Sequence, residues 1–352
     1  MRDFPEWILY EQLIQDLEQF KNSLQKTGSR SALPADFISF HQLGISKSTT
    51  MSYPLNAVAI GNPDPKAPTL ALFGGVHGLE RIGAQVVLAL LKSFSELLLW
   101  DKTLHYALSQ IRVVFFPMVN PIGIVNKTRC NPQGVDLMRN APIEAEEKPK
   151  WLLGGHRYSN KLPWFRGYEL QVEAQAVIDL CKQTFFDSQS VISIDFHSGF
   201  GIQDQLWFPY AKSKKPFPHL PEMHALTETF NNTHPNHFYL IEPQAKQYTT
   251  HGDLWDYIYE LFCQHNDKTY LPLCVEMGSW MWVRKNPLQI FSPLGPFNPI
   301  KPHRHKRILR RHQTLFDFLM RSLVSPERWA QLSPERKNKH LSSGLELWYE
   351  DQ

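Results

Sequence analysis

The stretch that most limits what this chain can fold into is Leu70-Ala71-Leu72-Phe73-Gly74-Gly75-Val76-His77-Gly78-Leu79-Glu80. Thr69 to Phe73 reads as a buried strand, and the two glycines after it let the backbone turn tightly. From Ile82 to Leu99 apolar groups occupy most faces, which predicts a long helix packed on that strand. Gly78 is expected to keep space open beside His77. A histidine and a carboxylate at such a strand-to-helix junction supply two of the three protein ligands that zinc takes in a hydrolase, where the fourth position is left for water. Taken alone, the tetrapeptide could equally be a surface histidine beside a helix-capping carboxylate.

Further apolar runs at Ile111 to Met118, Val191 to Phe196 and Tyr270 to Val275 read as strands, and residues 37–60 alternate and break as two more. Helical spacing covers 6–25, Tyr168 to Phe186, Glu222 to Asn231, Asp253 to Gln264 and Arg304 to Leu323. Residues 126–167 are irregular, and so long a stretch in a compact domain reads as functional loops. This order predicts an α/β fold with a mixed central sheet flanked by helices. The expected division is an N-terminal helical extension over 1–36, a main domain over 37–323 and a helical tail over 324–352. In the tail Ser-Pro-Glu-Arg occurs at 325–328 and 333–336 as a helix-start signal. Ligands of such sheets gather outside the carboxyl ends of the strands, so chain order alone can bring His77 and His197 together.

A hydrophobic content of 42% suffices to fill a sizeable core. The formal charge of +3 argues against nucleic acid or an anionic membrane as partner. Cys130, Cys181, Cys263 and Cys274 are scattered without a C-x-x-C pair, which argues against a structural zinc ribbon or a disulfide framework and fits a reduced compartment. No secretory signal opens the chain, and no run nears the roughly 18 apolar residues of a membrane span. The expectation is a soluble cytoplasmic protein. The basic run Lys301 to His312 lacks interleaved aromatics and reads as a solvated helix face, with no nucleic-acid partner expected.

In Ser193-Ile194-Asp195-Phe196-His197 strand alternation puts Ser193, Asp195 and His197 on one face. His197 is thus the candidate third metal ligand, and Asp195 is on the correct side to orient it. Arg129 and Arg139 lie in a turn-rich loop, and their forked, permanently charged donors suit a carboxylate or a developing oxyanion.

Taken together, Gly74 to Glu80, Arg129 to Asn140, Asp195-Phe196-His197-Ser198 and Cys274-Val275-Glu276-Met277-Gly278 resemble the zinc carboxypeptidase superfamily, in order, over roughly residues 37–320. The resemblance implies a catalytic domain with one Zn2+ per chain, held by His77, Glu80 and His197. It implies Glu276 as general base and Arg129 as the group polarising the scissile carbonyl. It also puts Arg139, Asn140 and Tyr248 at the substrate. Arg139 matches one member of an asparagine–arginine pair that holds a terminal carboxylate, and Tyr248 fits the family's Tyr-x-x-x-Gly-x-x-x-Asp-aromatic spacing. The chain departs from the pattern at Met138, where the asparagine is expected, and at Trp255, where members selective for basic side chains carry aspartate. The activity implied is hydrolysis of a C-terminal peptide bond. The motif forms are also similar to the aspartoacylase-like and murein-peptide-amidase branches, which leaves an amidase or deacylase of small acyl-amino acids or murein peptides as the alternative. A non-catalytic binding protein is a third reading, against which the retained Glu276 argues.

Overall fold

The computed structural model describes residues 3–26, 34, 36–265 and 268–350. Among these residues eight strands form one mixed sheet. They are β1 (Ile38–Lys47), β2 (Ser52–Gly61), β3 (Thr69–Gly74), β4 (Arg112–Phe116), β5 (Ser190–Phe200), β6 (Gln205–Phe208), β7 (Leu240–Pro243) and β8 (Thr269–Gly278), in the spatial order β1-β2-β4-β3-β5-β8-β6-β7. The central strands β4, β3, β5 and β8 are mutually parallel, whereas β1, β2 and β6 join antiparallel to their inner neighbours. β3 and β8 are buried along their whole length, which is why they read as continuous apolar runs without alternation.

Helices cover both faces: α1 (Pro5–Lys26), α2 (Arg81–Leu98), α3 (Lys102–Gln110), α4 (Pro121–Asn126), α5 (Val172–Phe185), α6 (Leu220–Thr233), α7 (Leu254–His265), α8 (Trp280–Lys285), α9 (Pro302–Arg311), α10 (Gln313–Val324) and α11 (Pro334–Tyr349). The α/β architecture predicted from the sequence is the one found. No single helix among the described residues is long and apolar enough to cross a membrane.

Both ends of the chain join the common core. Trp7, Tyr10, Leu13 and Leu17 form the buried stripe of α1, with Phe4 buried just before it, and each such side chain removed from water contributes roughly 1.5–3 kcal/mol. Beside that stripe Glu6 accepts from Arg81 Nη2 at 2.6 Å and from Gln85 Nε2 at 2.6 Å, which fastens α1 to the start of α2. At the other end Trp348 of α11 donates to Ile241 O and packs its ring against Phe208, closing over β6 and β7.

Several details differ from the sequence reading. The helix expected over Arg304 to Leu323 is two helices that break at His312, whose ring is fully buried against Tyr239. The short strands β6 and β7 and the helix α3 had no expected counterpart. β5 and β8 also extend past their apolar runs, because each has a neighbour to bond on both sides. His197 and Glu276 therefore lie within strands and not in the loops after them.

Candidate active site

The three parallel strands β3, β5 and β8 are adjacent and end on one edge of the sheet, which sets where the polar side chains meet. The β5–β8 register puts His197 opposite Glu276. β3 leads into Gly75, whose φ of +65° is the left-handed turn that glycine permits, and the chain then presents His77 before α2 begins. Gly78 does not face the cavity as expected. A Cβ there would lie 2.0 Å from the carbonyl carbon of Gly123, so glycine is required for the close approach of α4.

His77, Glu80 and His197 converge, each offering a ligand atom within 4.8 Å of the others, and all three are buried. His77 Nε2 faces Asp136 Oδ1 at 3.0 Å, and His197 Nε2 faces Asp195 Oδ2 at 2.7 Å. With each Nε2–H donated to its aspartate, a neutral ring presents a lone pair at Nδ1. Those two Nδ1 atoms lie 3.0 Å from Glu80 Oε1 and Oε2 respectively. Acceptor facing acceptor at that distance requires a cation or a proton between them. The donor set fits zinc, which takes two imidazoles and one carboxylate and leaves a position open, with carboxylates orienting the rings from behind.

The electrostatics point the same way. Burial alone would lower the pKa of His197, but Asp195 and Glu80 hold it well above the ordinary histidine range. Burial would likewise raise Glu80, and the two histidines pull it far below the usual carboxylate range instead. The site is a trap for positive charge.

Around this cluster lies a cavity of about 420 Å³ lined by Arg129, Arg139, Tyr248 and Glu276 together with the three metal-site residues. Arg129 donates through Nε to Asp136 at 2.8 Å and through Nη1 to Glu80 at 3.2 Å, so two of its five N–H groups are engaged there. Burial would lower its pKa, but Asp136 and Glu80 raise it and keep the guanidinium charged. Arg139 is 3% exposed, and its donors reach only backbone oxygens, those of Met138 and Leu153. Among the described residues no carboxylate pairs with it. Its guanidinium sits 5.9 Å from the ring of Tyr248, whose phenol burial pushes up, so that it stays protonated at neutral pH.

Asn140 takes no part in this cavity, contrary to the expectation. Its amide donates to Arg166 O and Glu169 O and its Oδ1 accepts from Gln171 N, so the side chain is committed to holding the loop. Trp255 is also elsewhere than the sequence comparison suggested. It lies in the core against Phe73 and donates its indole N–H to Asp195 Oδ2 at 3.0 Å, behind the metal site. It therefore says nothing about which side chain the cavity accepts. Met138 does line the cavity, where an amide side chain had been expected.

Sequence reasoning missed Asp136, which accepts from His77, from Arg129 and from the backbone N–H of Met138. Its signal was an acid between two arginines in a turn-rich loop. It also missed the walls formed by Trp164, Trp207 and Gln244. Trp164 is held at φ +64°, a conformation that costs a non-glycine residue on the order of 1 kcal/mol or more and that collects at functional sites.

The sequence matches the zinc carboxypeptidase family over residues 36–285. A comparison with curated proteins finds no match. Among solved structures, the fold is similar to bovine thrombin-activatable fibrinolysis inhibitor in complex with tick carboxypeptidase inhibitor, with a TM-score of 0.64 and 16% identity over 93% of this chain and 99% of that one. It is also similar to carboxypeptidase A from Helicoverpa armigera, with a TM-score of 0.53 and 13% identity over 86% and 81% of the two chains. At these identities the likeness is one of fold.

Proposed function

This chain belongs to the zinc carboxypeptidase family, and on that premise we propose that it is a zinc-dependent metallocarboxypeptidase that hydrolyses the peptide bond next to a free terminal carboxylate. The observation that carries the carboxylate half of this reading is Arg139, a buried guanidinium at the cavity wall whose hydrogen bonds go to backbone oxygens and which forms no ion pair with a carboxylate among the described residues. A substrate carboxylate would pair with it through two parallel N–H···O bonds. The Tyr248 phenol, kept protonated, adds a donor on the same side.

His77, Glu80 and His197 would hold the zinc ion, which when bound would supply the Lewis acidity that activates water near neutral pH and polarises a carbonyl. Glu276, opposite His197 in the strand ladder, takes the proton of the attacking water and returns it to the leaving amine. Arg129 directs the N–H groups that Asp136 and Glu80 leave over toward the oxyanion, and losing a donor of this kind typically costs about a hundredfold or more in rate. Asp195 and Asp136 fix the two imidazole rings. Four unpaired cysteines support a reducing, cytoplasmic setting for this activity.

A second reading, amidase or deacylase action on small acyl-amino acids or murein peptides, is favoured by Met138. Its thioether offers no amide donor beside Arg139, and carboxylate recognition then rests on fewer groups. Hydrolysis rates for an N-blocked dipeptide and its C-terminal amide separate the two. The carboxypeptidase reading expects the free acid to be cleaved faster by about a hundredfold, the worth of a charge-assisted bidentate pair. Equal rates would reject that reading in favour of the second.

A further inference from the structure

A second cavity, of about 670 Å³, lies away from the catalytic one and is walled by the basic run that the sequence reading took for a solvated helix face. Its permanently charged lining is Lys285 from α8 and Arg304, Arg307, Arg310 and Arg311 from α9, with the imidazole of His303 beside them. Arg304, Arg307 and Arg311 are three and four residues apart and so share one face of the helix, with His303 and Arg310 beside that stripe. Like charges at these spacings repel, and α9 has no acid in its first turn to offset them.

Almost nothing among the described residues neutralises this cluster. Among the described residues the one carboxylate paired with it is Asp204, 3.3 Å from Arg311 Nη1. Arg304 donates to the carbonyl oxygens of Trp282 and Lys285, which fixes its guanidinium at the end of α8. Lys285, Arg307 and Arg310 pair with no carboxylate among the described residues. The floor is apolar: Ile308 and Trp282 are buried, and Phe238 lies 3.6 Å beneath the Arg311 guanidinium, which holds that fork flat. Cations spread over a convex, wet face would be screened, whereas cations converging on a concavity with apolar walls reinforce one another.

We propose that this cleft binds a small polyanion carrying adjacent phosphate groups, of the di- or triphosphate kind. Guanidinium forks match phosphate oxygens bidentately, and a cavity of this volume suits a ligand of that size. A single nucleic-acid strand fits less well. The ring of Phe238 is covered by Arg311 and Trp282 is 4% exposed, so the lining offers no free aromatic face for base stacking.

The test is calorimetric titration of the full chain with inorganic tripolyphosphate at about 0.15 M salt, where weak surface attraction is largely screened. Saturable one-site binding is expected in the wild type, weakened about tenfold or more in Arg307→Ala/Arg310→Ala, whose residues are exposed and bear no packing. Lys306→Ala removes a charge from the same helix outside the cavity and is expected to bind as the wild type does. The proposal is overturned by the absence of saturable binding or by a loss in Lys306→Ala equal to that in the double variant. It is also overturned by an arginine pair that can be removed without effect, or by a single-stranded oligonucleotide binding where tripolyphosphate does not.

Discussion

Asp136, which no sequence motif marked, ties three parts of the candidate site together, since it accepts from the ring of His77, the guanidinium of Arg129 and the backbone of the turn that carries Arg139. Burial would raise its pKa, yet Arg129 and His77 hold it well below the usual carboxylate range, so it is a permanent negative charge. Asp136→Asn keeps the shape and removes that charge. Zinc affinity, measured by competition with a chelator, should fall about 10–100-fold, the usual effect of removing a carboxylate from behind a ligating histidine. Unchanged affinity would show that His77 is not oriented this way. The candidate ligands and Glu276 were legible because each lies in or just after an apolar run, in a short, recognisable motif. Asp136 and Trp255 were not, because they act on partners 59 and 60 residues away and no local pattern says which side chains will meet.

Between elements, the junctions carry the stability. Glu6 is 3% exposed and takes a bidentate pair from Arg81, the residue next to Glu80, so α1 braces the entry to α2. Glu6→Gln removes the negative charge that pairs with Arg81, and because Arg81 is partly exposed the cost should be roughly 1–3 kcal/mol in chemical denaturation. A shift within error would mean that α1 is held by its apolar stripe alone. The junction of α9 and α10 makes a prediction about pH. Burial first, then Arg311, lowers the pKa of His312 from 6.5 to about 3. Between those values the unfolded chain binds the proton and the folded one does not. Stability from this group is therefore full above about pH 6.5 and is lost as pH falls toward 3. On moving from about pH 6.5 to 5, His312→Gln should lose on the order of 2 kcal/mol less than the wild type in urea unfolding. Identical pH dependence would contradict the assignment. Neither Pro nor Gly marks this break, so the sequence read as one helix there, and β6 and β7, four residues each, were too short to show a period.

At the scale of the whole molecule, the mixed sheet could be anticipated from strands alternating with helices, whereas the strand order could not, because pairing depends on crossovers between distant segments. That order puts β3, β5 and β8 side by side, so a metal held by His77, Glu80 and His197 joins the edge of β5 to the start of α2. A ligand bound only by the folded state stabilises it by mass action, about 4 kcal/mol at a thousandfold excess over Kd. Stripping the chain with a chelator should lower Tm by several degrees, stoichiometric zinc should restore it, and His197→Ala should abolish the response. A Tm indifferent to chelator and zinc would remove the metal from the account. The central claim, that zinc at this cluster works with Glu276 as the base, is tested most directly by measuring zinc content and turnover together in Glu276→Gln. One zinc per chain should be retained and turnover reduced by about a thousandfold or more; full activity with zinc bound would contradict the role of Glu276 as base.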